Sequence, residues 1–122
     1  MDRNAVEGWV SGYERGWRER DLSAVGTLFT EDARYARSPY DEPLRGHAAI
    51  QEIWLDDPGT EFTMTAEAVA VERDRAVVRA EVQYTAPRRR QFRELWVLRF
   101  ADDGRVSDFE EWTYELGEPA AV

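Results

Sequence analysis

The chain has 122 residues, 43% hydrophobic and 12% aromatic, with 16 basic against 25 acidic side chains and a formal charge of −9. That length fits one domain, the aromatic content excludes a disordered chain, and the acidity argues against nucleic-acid or anionic-membrane partners. With no Cys, no Lys and one His (His47), disulfides, thiolate or Schiff-base chemistry and two-His zinc sites are excluded.

The elements follow in chain order. Val6, Trp9, Val10, Tyr13 and Trp17 recur at spacings of three and four, which predicts a first amphipathic helix. Asp21 is a candidate N-cap for a short second helix carrying Leu22, Val25, Leu28 and Phe29. Ala33–Arg37 reads as a short strand, and Pro39, Asp41, Pro43 and Gly46 mark a loop. Ala48–Trp54 predicts a third helix, with Ile50, Ile53 and Trp54 on its apolar side, stopped by Asp56-Asp57-Pro58-Gly59.

The remainder is strand-like. Glu61–Glu72, Arg75–Thr85, Gln91–Ala101 and Val106–Glu115 are rich in Val, Thr, Phe, Tyr and Trp. Asp74, then Pro87 with Arg88-Arg89-Arg90, then Asp102-Asp103-Gly104 supply the three turns of a meander, and Gly117-Glu118-Pro119 begins a loose tail. Helices grouped ahead of an antiparallel sheet predict a single α+β domain over residues 1–122, with a small-molecule pocket where the layers diverge. No apolar run approaches the ~20 residues of a membrane span, and Met1-Asp2-Arg3-Asn4 lacks a signal-peptide core, so a cytoplasmic location is expected.

Three stretches carry a family resemblance. They are Arg20-Asp21-Leu22, Leu28-Phe29-Thr30-Glu31-Asp32-Ala33 and Pro43-Leu44-Arg45-Gly46-His47-Ala48-Ala49-Ile50; the Phe100–Val106 hairpin and the aromatic, acidic last strand agree with them. Together they resemble the SnoaL-like branch of the NTF2-like superfamily. The resemblance implies a cystatin/NTF2-like cone: three N-terminal helices packed against a curved, mainly antiparallel sheet, with a deep pocket and usually as a homodimer. It does not fix an activity, because this fold hosts unrelated ones.

Two enzyme branches imply site residues. Against ketosteroid isomerases, Tyr13 falls on the oxyanion-hole Tyr, Arg37 or Ser38 on the base, and Trp96 on the second donor, so two of three chemical positions are lost. Against limonene-type epoxide hydrolases, Tyr35-Ala36-Arg37 resembles a Tyr-x-Asn segment and Arg79-Ala80-Glu81 an Arg-x-Asp segment. Glu111 falls on that branch's late Asp. Each carboxylate is one methylene longer, and the Arg-for-Asn change removes an acceptor for water.

The candidate residues have plain structural readings beside these. Tyr13 is a pocket donor or a core Tyr with a buried partner. Tyr35 and Arg37 share one strand face; if that face is inward, Arg37 requires a carboxylate, Glu111 or Glu94, and otherwise it snorkels at a rim. Alternation puts Val78, Ala80, Val82 and Tyr84 inward and Arg79, Glu81 and Gln83 in water, whereas the epoxide-hydrolase comparison requires the reverse. Glu94, Trp96, Leu98 and Phe100 share one face, as do Phe109, Glu111 and Thr113, and the isomerase comparison points both sets inward. Two carboxyls among aromatics can split acid and base roles, or pair statically with Arg37 or Arg79. Trp17, Trp54, Trp96, Phe109 and Thr113 are the expected substrate walls. His47 reads as an exposed first-turn residue, Asp32 as structural and Arg88–Arg90 as a solvated hairpin tip. Neither a cofactor nor a metal is indicated.

Three classes of function follow. The first is a cofactor-independent acid–base enzyme (isomerase, cyclase or hydrolase) acting on a small, mainly apolar molecule. Glu111 would serve as base, Tyr13 and Tyr35 as donors, and Arg37 would position charge. The second is a ligand-binding or interaction module without turnover, and the third is a dimeric scaffold with a filled core. Leu95, Val97 and Trp112 form a second apolar sheet face, which predicts a homodimer.

Overall fold

The computed structural model describes residues 1–56 and 60–117. The helix stop expected at Asp57-Pro58-Gly59 and the tail expected from Glu118-Pro119 lie outside them. The elements run α1 (Arg3–Glu19), α2 (Ala24–Leu28), β1 (Phe29–Ala36), β2 (Leu44–Arg45), α3 (His47–Leu55), β3 (Glu61–Glu72), β4 (Arg75–Ala86), β5 (Arg90–Phe100) and β6 (Val106–Glu115).

Local signals explain the helix ends. Asp2 caps α1 by accepting the Ala5 N–H at 2.8 Å, and Arg20 ends it in a left-handed conformation at φ 54°. Between them Val6, Trp9, Val10 and Tyr13 are buried, as the spacing predicts; Trp17 is half-buried, and Gly16 is buried beside it. The cap of α2 is Ser23 and not Asp21, whose carboxylate instead accepts from the Ser23 amide at 3.1 Å and hydroxyl at 2.5 Å, tying the preceding turn. α3 starts one residue earlier than expected, at His47.

The six strands form one sheet in the order β2-β1-β6-β5-β4-β3, antiparallel except where β1 lies parallel to β6. β1 begins at Phe29, four residues before the expected Ala33. Its pairing with β6 breaks between Phe29 and Arg34, so no clean alternation marks that segment. β2 is two residues long, within the predicted loop.

On β4, Ala76, Val78, Ala80 and Val82 are buried and the residues between them are not, as alternation predicts. On β5, Glu94, Trp96, Leu98 and Phe100 point inward. A pairing irregularity between Arg99 and Phe100 lets both Val106 and Phe109 face the core. The curved sheet closes on the helices as an α+β cone of the cystatin/NTF2-like type. Trp54, Trp96, Phe29, Phe109 and Ile50 are its largest fully buried side chains. Full burial of a large apolar side chain contributes roughly 1.5–3 kcal/mol, so this aromatic centre anchors the layers.

Candidate functional site

A cleft opens on the inner face of the sheet in two compartments. The inner one, about 290 Å³, is walled by Trp17, Ile53, Trp54, Tyr84 and Trp96, with Tyr13, Tyr35 and Glu94 deepest. The outer one, about 410 Å³, is bounded by Thr60, Pro87, Arg88, Arg90, Phe92 and Thr113. Arg37, Tyr84, Glu94 and Glu111 line both.

Two carboxyls meet at the junction. In β5 and β6, Trp96 pairs with Glu111 and Glu94 with Thr113, so Glu94 and Glu111 sit diagonally on the inner face. Glu94 is buried and accepts the Trp96 indole N–H at 2.9 Å. Glu111 is half-buried, takes the Thr113 hydroxyl at 3.3 Å, and hydrogen-bonds to Glu94. Desolvation, followed by the neighbouring Glu94 charge, pushes the Glu111 carboxyl up to about 8, and Arg37 opposes this only in part. Glu94 is also raised by burial, while its bonds from Trp96 and Glu111 favour its charged form. Burial therefore favours keeping a proton on the pair, and the bond between the two carboxyls biases that proton toward Glu111.

Beside the dyad, the Tyr13 and Tyr35 hydroxyls hydrogen-bond at 2.8 Å. Both phenols are raised well above their ordinary value, first by burial, so both remain neutral donors. Phe109 stacks 4.6 Å from Tyr35 and 5.6 Å from Tyr13, which fixes the pair from behind.

The placement of the expected site residues is mixed. Glu111, Glu94, Tyr13 and Tyr35 converge, with Trp17, Trp54 and Trp96 as walls and Thr113 at the mouth. Phe109 departs from its expected role: it is 1% exposed and lines neither compartment, because the tyrosines stand between it and the cavity. Arg37 also departs. It lies just past the end of β1, exposed, and among the described residues no carboxylate pairs with it.

Arg79 and Glu81 are a correction. Both stand on the outer face, where Arg79 pairs with Glu67 and Glu81 with Arg93, since the register turns Val78, Ala80 and Val82 inward. The Arg-x-Glu segment takes no part in the cleft. His47 is half-buried rather than exposed, its Nε2 2.8 Å from the Phe29 carbonyl.

Some lining residues were not singled out from sequence. Tyr84 already stood on the inward face by alternation. Arg88 and Arg89 are exposed in the hairpin turn, as expected, but Arg88 also lines the mouth with Arg90, which is half-buried and grips Glu115 through two bonds of 2.8 and 2.6 Å. No group of three or more His, Cys, Asp or Glu suited to a metal occurs among the described residues. No helix among them is long and apolar enough to cross a membrane.

The curved sheet closed on three helices places the fold in the NTF2-like class. Within it, residues 10–109 match the SnoaL-like domain family, and the chain belongs to that family. Glu94 lies inside the matched stretch and Glu111 two residues beyond it. The fold is similar to a proposed ketosteroid isomerase from Kribbella flavida DSM 17836 at 20% identity and TM-score 0.75, over 100% of this chain and 87% of that one. It is similar to an LEH-like epoxide hydrolase from M. tuberculosis at 15% identity and TM-score 0.74, over 93% and 86%. An NTF-2 like protein of unknown function from Burkholderia xenovorans LB400 aligns at 14% identity and TM-score 0.72, over 95% and 88%. A search of curated proteins returns no significant match.

Proposed function

We propose that this SnoaL-like domain is a cofactor-independent acid–base enzyme for a small, mainly apolar molecule, in the isomerase, cyclase or hydrolase range. The observation that carries the reading is the Glu94–Glu111 dyad, raised by burial and opening into an aromatic cavity. A pair sharing one proton offers a base and an acid in one place. Glu94, whose bonds from Trp96 and Glu111 favour its charged form, takes the proton from carbon or water. Glu111, or a hydroxyl of the Tyr13–Tyr35 pair, supplies a proton or hydrogen bond to the developing oxyanion. This exchanges the roles that sequence comparison implies, where Glu111 is the base. Arg37 positions or neutralises charge at the mouth, and Trp17, Trp54 and Trp96 exclude water. We also propose a homodimer through the outer sheet face.

A static binding module is the second reading. It is favoured by one observation: the Tyr13 and Tyr35 hydroxyls already bond to each other, so one of their two protons is spent within the pair.

Ring opening of 5-nitrobenzisoxazole separates the two without knowledge of the natural substrate. A base removes the C–H proton, the N–O bond breaks, and a nitrophenolate is released. Turnover above that of free acetate is expected. Removing either carboxyl alone leaves the other to act with a lowered pKa, so the decisive variant is Glu94→Gln with Glu111→Gln. Loss of a positioned base costs about 10²–10⁴-fold. A double variant as active as the wild type, or a wild type no faster than acetate, defeats the enzyme reading.

A further inference from the structure

The cleft mouth is basic in a chain whose formal charge is −9. Arg37, Arg88 and Arg90 all line it. Arg90 is engaged by Glu115. Arg37 and Arg88 are exposed, and among the described residues neither makes a hydrogen bond or an ion pair.

The position of Arg37 makes this more than a surface charge. It lines the inner and outer compartments alike, where the ligand must pass. Glu94 takes Trp96 and Glu111, and Glu111 takes Thr113, so both carboxyls are partly engaged, and among the described residues no carboxylate forms an ion pair with Arg37. A guanidinium carries five N–H donors in a planar fork, and among the described residues no hydrogen bond takes up those of Arg37, whose charge reaches Glu111 only at longer range. A second donor deeper in the same cleft is also unmet. Trp54 is 1% exposed and its ring lines the inner compartment, and its buried Nε1–H has no acceptor among the described residues. A buried polar group without a partner is costly and calls for an explanation. The Tyr13–Tyr35 pair adds a third, because one hydroxyl donates to the other and the acceptor keeps its own proton. The lining thus holds unmet donors and a cation at its entrance.

We propose that the cleft takes an organic carboxylate. The carboxylate is held at the mouth by the Arg37 fork with Arg88 as a second positive charge, and the apolar body lies against Trp17, Trp54 and Tyr84. Because guanidinium and carboxylate match in a bidentate geometry, one well-placed Arg suffices for recognition. The inference rests on the cleft being the functional site, as proposed above, and it narrows the substrate from a small apolar molecule to an apolar acid.

The test compares 2-naphthylacetate with its neutral isostere, 2-naphthylacetamide, by isothermal titration calorimetry on the full chain. The acid is expected to bind at least about tenfold tighter at low salt, as a charge-assisted contact allows. Added salt narrows the gap. Arg37→Gln brings the two affinities together, Arg37→Lys keeps part of the preference, and Arg88→Gln reduces it by a smaller factor. If Arg37→Gln fails to fold, the Lys variant and the salt dependence decide.

Equal affinities in the wild type, binding of neither compound, or a preference unchanged in Arg37→Gln each overturn the proposal. The Glu94→Gln, Glu111→Gln variant keeps or increases the preference for the acid, because it removes negative charge from the cleft. Failure of the acid–base reading and failure of anion recognition therefore appear in different variants and different measurements.

Discussion

At the residue scale, Glu111 is a group the fold makes less comfortable when charged. Its carboxyl is pushed up to about 8, so between its ordinary value and about 8 the folded chain keeps a proton that the unfolded chain has lost. Stability falls with rising pH wherever the folded state binds more protons. That contribution is fully present below the ordinary carboxylate range and is lost as pH rises through about 8. Glu111→Gln removes this titration, so its melting temperature should exceed the wild type's at pH above about 8 and converge with it in mild acid. A thermal melt at several pH values checks this, and a variant uniformly less stable than wild type contradicts it. Tyr13→Phe should act oppositely at every pH below the phenol range. It leaves the buried Tyr35 hydroxyl without its 2.8 Å partner, which costs about 1–3 kcal/mol, or roughly 4–8 °C per kcal/mol in a small domain.

At the element scale, how much the sequence disclosed follows from how periodic each element is. The α1 stripe and the alternation of β4 and β5 were legible because each buries one face and wets the other. The start of β1 was not, because its pairing with β6 is irregular there, and β2 is too short for any period. The same logic divides the site. Glu94 and Glu111 were legible as inward carboxyls on aromatic strand faces. That they share a proton was not, since the contact depends on a diagonal between strands set by register. Alternation placed Arg79 and Glu81 correctly on the outside, and the family comparison pulled against it. Arg88 and Arg90 could not be placed, because nothing local says over which end of the cone a hairpin closes.

The α1 helix also sets the cavity wall at one point. A Cβ on Gly16 would lie 3.0 Å from Ala24 Cβ and 3.1 Å from Trp54 Cη2. Gly16→Ala gains helix propensity of about 1 kcal/mol, yet overpacking costs about 1–3 kcal/mol. The net expectation is a lower urea midpoint, together with weaker naphthyl binding as Trp54 is pushed from its seat. An unchanged midpoint and affinity would mean that α2 and Trp54 yield freely.

At the scale of the whole molecule, the sheet has a second face that the three helices do not cover. Leu95, Val97 and Trp112 are 40%, 37% and 38% exposed there, with Leu95 paired to Trp112 across β5 and β6. Around them lie the ion pairs Glu67–Arg79, Glu81–Arg93 and Arg34–Asp108. An apolar centre with a rim of both signs can meet its own copy by a two-fold axis, each acid opposite a base. Opposing this is the charge of −9 on each copy, which repels at long range and is screened within about 10 Å at 0.1 M salt. Association should therefore tighten as salt rises from low values, the reverse of the acid's binding at the cleft mouth. Light scattering at micromolar concentration should report about twice 14.2 kDa, shifting toward the single chain at low salt. Trp112→Arg places a charge at the centre of this face and should give the single-chain mass at every salt concentration, while naphthylacetate binding in the cleft on the opposite face persists. A wild type that is monomeric at all salt concentrations removes the dimer, and a Trp112→Arg variant that still dimerises moves the interface elsewhere.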